Sequence, residues 1–240
     1  MALHLPLNPI DRANRPPAYY LTVQDGLILL SSALWTIAYV LYVRQGLLDR
    51  SYGMPIVPLC ADIVWEFLFG LIVPTSVAQV VAFTPWLIID IGIVYTTYQF
   101  GPEQWAHAPL VAENLGWILI LGVLFTMALF WAIIKTIGVD NSSFYIAYVV
   151  QLVISSYSVA QLISRGNTSG HSWSIWFFRT TGTAATIAQF IWKYSHYPKS
   201  YPRVARPLTQ FLFISCTMID LIYPFVYMAV EQREGRNLKL

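Results

Sequence analysis

Charged residues are scarce in this sequence: Asp, Glu, Lys and Arg make up 11% of its 240 residues, against about 25% in typical soluble domains. Hydrophobic residues make up 57%, and the mean hydropathy is +0.56. This composition excludes an ordinary soluble domain. We therefore predict a multi-pass integral membrane protein whose environment is the lipid bilayer. It indicates no nucleic-acid partner and no obligate protein partner.

Residues for metal, redox and diphosphate chemistry are also few. Cys60 and Cys216 lie at depths that differ by about 15 Å along their predicted helices, which excludes a disulfide between them. No set of cysteines and histidines has zinc spacing, and no Asp-Asp or Asp-x-Asp pair is present to hold Mg²⁺ against a diphosphate. We predict no metal and no cofactor. The histidines all fall in predicted loops or termini, where we expect them to be solvated: His4, His107, His171 and His196.

Seven apolar segments have the length of about 20 residues that a membrane-spanning helix needs. They cover residues 26–43, 57–77, 83–100, 115–134, 144–163, 173–192 and 209–227. They predict an all-α fold, a single bundle of seven transmembrane helices formed by residues 1–240. Residues 1–25 are an extramembrane N-terminal segment without the apolar core of a cleavable signal peptide, and residues 228–240 are a polar tail.

Two carboxylates interrupt the second apolar segment. Asp62 and Glu66 are four residues apart and share one helix face. A carboxylate near the bilayer centre costs about 2.5 to 3.5 kcal/mol on insertion scales, so a functional role is the default hypothesis. Asp220 lies in the seventh segment, and counting from the shared membrane face puts Glu66 and Asp220 each 11 residues deep. We expect these two to meet near the midplane, where one of them stays protonated and acts as a general acid.

Other intramembrane polar groups have alternative interpretations. Asp62 either forms a structural ion pair with Arg179, which lies at a similar depth, or contributes to the acid site. For Asp90 we favour a structural role, with a hydrogen bond to a hydroxyl such as that of Thr84. Pro224 has no N–H for the backbone carbonyl of Asp220, so the helix is locally open there.

Aromatic residues make up 15% of the chain, and several lie at middle depths in the predicted helices. Most of them are packing or interfacial residues. A subset that lines a cavity would stabilise a nearby cation through its ring faces. An acid beside an aromatic wall is what a carbocation cascade requires. The candidates for lining such a site are Asp62, Trp65, Trp131, Trp176 and Tyr223.

The chain resembles the fungal integral-membrane terpene cyclases of meroterpenoid and indole-diterpene biosynthesis, the paspaline-type cyclase family. The resemblance rests on length, seven predicted spans, the pair Trp65-Glu66 in the second span, and Asp220 shortly before Tyr223-Pro224 in the seventh. It implies a metal-independent terpene cyclase of secondary metabolism in which Glu66 and Asp220 form the acid/base pair. It also implies a prenylated substrate, first an epoxidised farnesyl polyketide and second a geranylgeranyl indole, and a location in the endoplasmic reticulum membrane.

Two other classes fit parts of the sequence. A proton-coupled small-molecule transporter would also place acids at the midplane, but no internal repeat is visible. An intramembrane prenyltransferase would need clustered carboxylates for Mg²⁺ and diphosphate, and the sequence has no such motif. Protonation therefore fits better than diphosphate loss as the initiating step.

Overall fold

The long helices of the fold follow the seven apolar segments. The computed structural model describes residues 4–237. Its α-helices are α1 (Pro9–Asn14), α2 (Ala18–Asp49), α3 (Ile56–Phe67), α4 (Val77–Gln104), α5 (Pro109–Glu113), α6 (Leu115–Ile137), α7 (Val139–Arg165), α8 (Trp173–His196) and α9 (Pro207–Asn237). A π-helical turn, Leu68–Ile72, continues α3, and a 3-10 turn, Pro202–Ala205, precedes α9.

Five helices among the described residues are long and apolar enough to cross a membrane: α2, α4, α6, α7 and α9. The α-helical part of α3 is only 12 residues long because the π-helical turn interrupts it. Helix α8 has 24 residues but includes Arg179 and Lys193. The structure therefore confirms an all-helical, multi-pass membrane protein with at least five helices of spanning length.

The first and last long helices exceed the predicted spans. Helix α2 begins at Ala18, so part of the predicted extramembrane segment is helical. Its first turn packs on α8, where the Trp192 indole N–H donates to the Tyr20 carbonyl at 3.3 Å. Helix α9 continues through the predicted polar tail to Asn237. Residues 1–3 and 238–240 of the two predicted terminal segments lie outside the described residues.

Six helices pack in a closed ring, in the order α2, α4, α3, α7, α9 and α8, and α8 returns to α2. Helix α6 packs outside this ring against α3 and α7. Helix α7 therefore lies between α3 and α9, the helices that carry Glu66 and Asp220. This order decides which of the buried charged groups can meet.

Polarity is distributed as expected for a protein surrounded by lipid. Large apolar side chains on α4 and α6 face outward; Ile91 is 66% exposed and Phe125 is 72% exposed. Charged side chains are instead buried within the ring, where lipid does not reach them. These buried charges are Asp62, Glu66, Asp90, Arg179 and Asp220.

A glycine brings α8 close to α2. A Cβ atom at Gly182 would lie 2.7 Å from Cδ1 of Trp35, so any larger residue would displace that indole. The Ser31 hydroxyl donates to the Gly182 carbonyl at 2.9 Å across the same contact. The close approach fixes the position of Trp35.

Candidate active site

A cavity of about 300 Å³ lies inside the ring, bordered by α2, α3, α4, α7 and α8. Its inner end contains Asp62 and Tyr39, whose side chains are hydrogen-bonded to each other. Its other end contains Asp11 and Lys193, where the N-terminal segment with α1 covers the bundle. The cavity therefore joins a deep acidic end to a polar end near the membrane surface.

Three carboxyl groups gather at the inner end: Asp62, Glu66 and Asp90, called here the carboxyl cluster. One carboxyl oxygen from each residue lies within 4.8 Å of the other two, and all three side chains are buried. The expectation that Asp90 bonds Thr84 is wrong, because the Thr84 hydroxyl has no hydrogen-bond partner among the described residues. Asp90 faces α3 instead, since α4 packs directly on that helix.

Asp62 is the member of the carboxyl cluster that lines the cavity. The Tyr39 hydroxyl donates to Asp62 Oδ2 at 2.7 Å. The carboxyl oxygens of Glu66 and Asp90 have no hydrogen-bond partner within residues 4–237. An ionised carboxylate can only accept hydrogen bonds, whereas a protonated carboxyl group can also donate one. Protons held within the cluster would supply the hydrogen bonds that no other side chain provides.

Asp220 belongs to a separate charged group. Arg179 Nη2 donates to Asp220 Oδ1 at 2.8 Å, and Gln151 Nε2 donates to Asp220 Oδ2 at 3.3 Å. The expected meeting of Glu66 with Asp220 and the expected pair of Asp62 with Arg179 are therefore both wrong. Depth counting gives the height of a residue in the membrane but not the direction it faces, and α7 lies between the two acids. Because Gln151 lines the cavity, Asp220 borders it through that amide.

The Asp220 carbonyl, which Pro224 leaves without a helical hydrogen bond, accepts a hydrogen bond from a neighbouring helix. The Trp176 indole N–H donates to the Asp220 carbonyl at 2.7 Å. Pro224 cannot donate to this carbonyl because proline has no backbone N–H. Trp176 thus helps to fix Asp220 from α8 and is not among the residues that line the cavity.

A continuous row of aromatic rings forms the wall around the inner end. Successive ring centroids are 5.6 Å apart for Trp35 and Tyr39, 5.7 Å for Tyr39 and Trp86, 5.3 Å for Trp86 and Phe83, and 4.3 Å for Phe83 and Trp65. All five line the cavity. A cation formed there would meet several ring faces, each of which stabilises positive charge.

Two of the candidate aromatic residues lie elsewhere. Trp131 is 40% exposed on α6, and its ring stacks under Lys135 with Nζ 4.8 Å from the centroid. The Tyr223 hydroxyl lies 3.1 Å from His171 Nδ1, and its ring faces the Arg179 guanidinium at 5.5 Å. Neither residue lines the cavity.

His171 corrects the expectation that every histidine is solvated. It is 2% exposed in the loop between α7 and α8. Burial, together with the positive charges of Arg165 and Arg179, lowers the pKa of its imidazole to about 3. Both cysteines are free and buried, so the predicted absence of a disulfide between them is confirmed.

The polar end of the cavity is covered by the N-terminal segment. Lys193 Nζ donates to Asp11 Oδ2 at 3.3 Å, and the Tyr201 hydroxyl donates to Asp11 Oδ1. The Asn8 side chain caps α1 by accepting from the Asp11 N–H at 2.8 Å. The Leu5 N–H donates to Asp25 Oδ2 at 2.9 Å. These bonds hold α1 against the ends of α2 and α8.

The carboxyl cluster is the group among the described residues with the geometry to hold a metal ion. Hard cations such as Mg²⁺ and Ca²⁺ take six or more oxygen ligands. Besides the three carboxyl groups, the hydrogen bonds described for the cluster bring in only the Tyr39 hydroxyl. This donor set does not by itself complete a cation site, and no catalytic step is assigned to a metal.

Sequence reasoning missed several residues of this site. The sequence favours a structural role for Asp90 and does not mark Tyr39, Phe83, Trp86 or Gln151 as candidates. One usable signal is the spacing on α2, where Gln24, Ile28, Ser31, Trp35 and Tyr39 recur every three or four residues and all line the cavity.

Comparison with known proteins identifies relatives over nearly the whole chain. The model of a family described as Pyr4-like transmembrane terpene cyclases matches residues 10–233. A Pyr4-family terpene cyclase, mfmH, from Annulohypoxylon moriforme is 58% identical over 240 residues, covering 99% of this chain and 98% of the relative. Terpene cyclase macJ from Penicillium terrestre is 35% identical, and the match covers 93% of this chain and 89% of the relative. Terpene cyclase atmB from Aspergillus flavus is 33% identical, and the match covers 93% of this chain and 94% of the relative. No solved structure matches the chain.

Proposed function

The chain belongs to the Pyr4-like transmembrane terpene cyclases, and from that premise we propose that it cyclises a prenylated small molecule by protonating a terminal epoxide. The observation that carries this proposal is the position of the carboxyl cluster at the inner end of an aromatic-lined cavity. A membrane-bound terpene cyclase needs an acid where water is excluded and a wall that stabilises the cation. The inner end of this cavity has both.

The proton reaches the epoxide through Asp62, the cluster member that lines the cavity. Tyr39 holds Asp62 Oδ2, so Oδ1 is the oxygen left to face the substrate. Glu66 lies one helical turn away on α3, is fully buried, and supplies the proton that Asp62 gives up. Three negative charges this close would repel one another in a buried site, which favours at least one shared proton in the cluster.

The reaction then follows from protonation. The epoxide C–O bond breaks as its oxygen takes the proton, and the alkenes of the prenyl chain attack in sequence. The row of rings from Trp35 to Trp65 stabilises the positive charge as it moves along the chain. The cascade ends when a cluster carboxylate takes a proton back, either from the carbon next to the cation or from the substrate hydroxyl that attacks the cation. Asp220 does not line the cavity, so in this proposal its part beside Glu66 is to position the Gln151 amide at the cavity wall and not to transfer a proton itself.

The substrate proposed first is an epoxidised farnesyl polyketide, and a geranylgeranyl indole is the second choice. An apolar substrate suits a site deep in the bilayer because it reaches the protein from the surrounding lipid. The enzyme uses no cofactor and no metal in this proposal. Its location is the endoplasmic reticulum membrane, where membrane-embedded fungal enzymes that act on prenylated substrates would meet them.

All seven long helices cross the membrane in this proposal, which adds α3 with its π-helical turn and α8 to the five apolar helices. Both carry buried charged residues inside the ring: Glu66 on α3 belongs to the carboxyl cluster, and Arg179 on α8 pairs with Asp220. Polar residues in such helices are tolerated when they face the interior of the bundle.

The reaction class is tested with microsomes that contain the wild-type protein. They are incubated with an epoxidised farnesyl polyketide, with its non-epoxidised form, and with farnesyl diphosphate plus the free polyketide, each with Mg²⁺ or with chelator. We expect a cyclised product from the epoxide alone, at equal rates with and without chelator. The proposal fails if the epoxide is inert, if chelator stops the reaction, or if product forms only from the diphosphate.

A further inference from the structure

The polar end of the cavity contains buried acceptors without donors. Gln24 and Asp25 line the cavity and are 3% and 8% exposed. Gln24 Oε1 and Asp25 Oδ1 have no hydrogen-bond partner within residues 4–237. A buried acceptor left without a donor destabilises the folded protein because it has lost its hydrogen bonds to water. A ligand with a hydroxyl or N–H group would remove that destabilisation.

A third unpartnered polar group faces the same part of the cavity. Tyr148 on α7 is 3% exposed, lines the cavity, and its hydroxyl has no hydrogen-bond partner in the described part of the chain. A phenolic hydroxyl can donate or accept. Gln189 on α8 is 8% exposed and also lines the cavity. We call Gln24, Asp25, Tyr148 and Gln189 the head subsite.

Helix contacts place these residues at one level. Tyr20 meets Trp192 near the end of the α2–α8 contact, and Ser31 meets Gly182 further in. Gln24 and Gln189 lie between those two contacts on antiparallel helices. The Tyr148 ring is 6.1 Å from the ring of Phe190, the neighbour of Gln189.

The head subsite is well separated from the carboxyl cluster. Gln24 and Tyr39 are 15 positions apart on α2, which is about 22 Å of helix. Between them the cavity is lined on α2 by Ile28, Ser31, Ser32 and Trp35. The Ser31 hydroxyl already donates to the Gly182 carbonyl. The cavity thus has unpaired acceptors at one end, a middle lined by Ile28, two serines and Trp35, and an acid at the other end.

We infer that the head subsite binds the hydrogen-bond-donating ring of the prenylated substrate, a phenol or enol hydroxyl, and so sets which end of the molecule reaches Asp62. This inference rests on the proposed function and deepens it. With the hydroxyl bound at Gln24 and Asp25, the prenyl chain extends past Ile28 and Trp35. Its far end, where the epoxide lies, then meets the carboxyl cluster. A substrate bound in the reverse direction would leave those acceptors unpaired.

The test measures binding separately from turnover. Purified protein in nanodiscs is titrated with three non-reactive ligands without an epoxide: a farnesylated phenol, its phenol methyl ether, and farnesyl methyl ether. Quenching of tryptophan fluorescence reports occupancy, because Trp35, Trp65 and Trp86 line the cavity. We expect the wild type to bind the phenol about tenfold more tightly than its methyl ether, the ratio that one satisfied buried acceptor supports.

Variants separate the subsite from general effects on the fold. Gln24→Leu keeps the side-chain size but removes the acceptor, so the preference for the phenol falls toward one. Tyr148→Phe is a second variant that removes only a hydroxyl, and we expect it to reduce the preference as well. Gln45→Leu is the matched control, since Gln45 is on α2, bonds Asp49 and does not line the cavity. It keeps the wild-type preference.

Equal wild-type affinity for the phenol and its ether overturns the inference. A preference that survives both Gln24→Leu and Tyr148→Phe also overturns it, as does a loss that occurs equally in Gln45→Leu. Cyclisation of the matching epoxides is assayed in parallel. If the phenol preference and its loss are seen without cyclisation, the subsite stands and the proposed reaction fails. If cyclisation occurs without any preference, the reaction stands and the subsite fails.

Discussion

The buried acids could be identified from the sequence, but their partners could not. The cost of a carboxylate in an apolar helix is enough to mark Asp62, Glu66 and Asp220 as special. It does not identify their partners, because a partner depends on which way each helix faces after packing. The structure divides these acids into a carboxyl cluster with Asp90 and an ion pair with Arg179. Asp90 could not be assigned to the cluster without knowing that α4 packs on α3.

The Arg179–Asp220 pair is expected to be structural as well as functional. Both side chains are nearly fully buried, 1% and 2% exposed, so removing one partner leaves an uncompensated charge. Arg179→Met should cost about 3 to 5 kcal/mol of unfolding free energy. Thermal unfolding in detergent measures this loss. The double variant Arg179→Met with Asp220→Asn removes both charges and should regain most of it; an equal loss in the double variant would contradict a charge-based explanation.

The approximate positions of the long helices were predictable from the sequence. The seven apolar segments correspond to the long helices because spanning length and hydropathy leave few alternatives. Their ends were not predictable, since α2 and α9 continue through polar residues that pack on neighbouring helices or extend from the bundle. The π-helical turn directly after Glu66 and Phe67 also has no signal in the hydropathy pattern. Such turns are frequent near functional sites.

His171, in the loop between α7 and α8, should make the free energy of unfolding fall at acidic pH. The pKa of His171 is near 6.5 in the unfolded chain and about 3 in the fold. The unfolded state therefore binds more protons between these values, and stability is lost as the pH falls from 6.5 toward 3. At pH 5 the loss from this group is about 2 kcal/mol.

His171→Gln removes this titration. The variant should show a flatter dependence of its unfolding midpoint on pH than the wild type between pH 7 and pH 5, because the other titrating groups are common to both proteins. Parallel curves for the two proteins would show that His171 is not buried in its neutral form.

Helix α1 should be held at the polar end of the cavity by Asp11. Asp11→Asn removes the charge that pairs with Lys193, which is 4% exposed, and so weakens the contact of α1 with α8. The exposed bond after Arg12 then becomes more accessible to trypsin, and we expect cleavage to be about tenfold faster or more. Glu113→Gln on α5 is the control and should be cleaved after Arg12 at the wild-type rate. Unchanged cleavage of Asp11→Asn would contradict the proposed anchoring.

The packing of the whole bundle brings Asp62 and Asp220 to the same cavity. Neither depth counting nor hydropathy could predict the ring of six helices, because it depends on which helix faces pack. Once the ring closes, one cavity borders Asp62 directly and Asp220 through Gln151. The family was recognisable from Trp65-Glu66 and from Asp220 before Tyr223-Pro224, since these motifs do not depend on knowing the ring.

Seven membrane crossings predict that the two ends of the chain lie on opposite sides of the membrane. Tags at the N- and C-termini, tested by protease protection in intact and in permeabilised microsomes, measure this directly. We expect one tag to be digested in intact microsomes and the other only after permeabilisation. Digestion of both tags, or protection of both, would require an even number of crossings.

The central claim is that the carboxyl cluster protonates the substrate. Microsomes with wild type, Glu66→Gln, Asp62→Asn and the exposed control Glu103→Gln are incubated with the epoxidised farnesyl polyketide, and the rate of cyclised product formation is measured at equal amounts of folded protein. Loss of a general acid costs about 10²- to 10⁴-fold in rate, so we predict that Glu66→Gln and Asp62→Asn fall by that factor while Glu103→Gln matches the wild type. Cyclisation at the wild-type rate in both cluster variants would contradict the account.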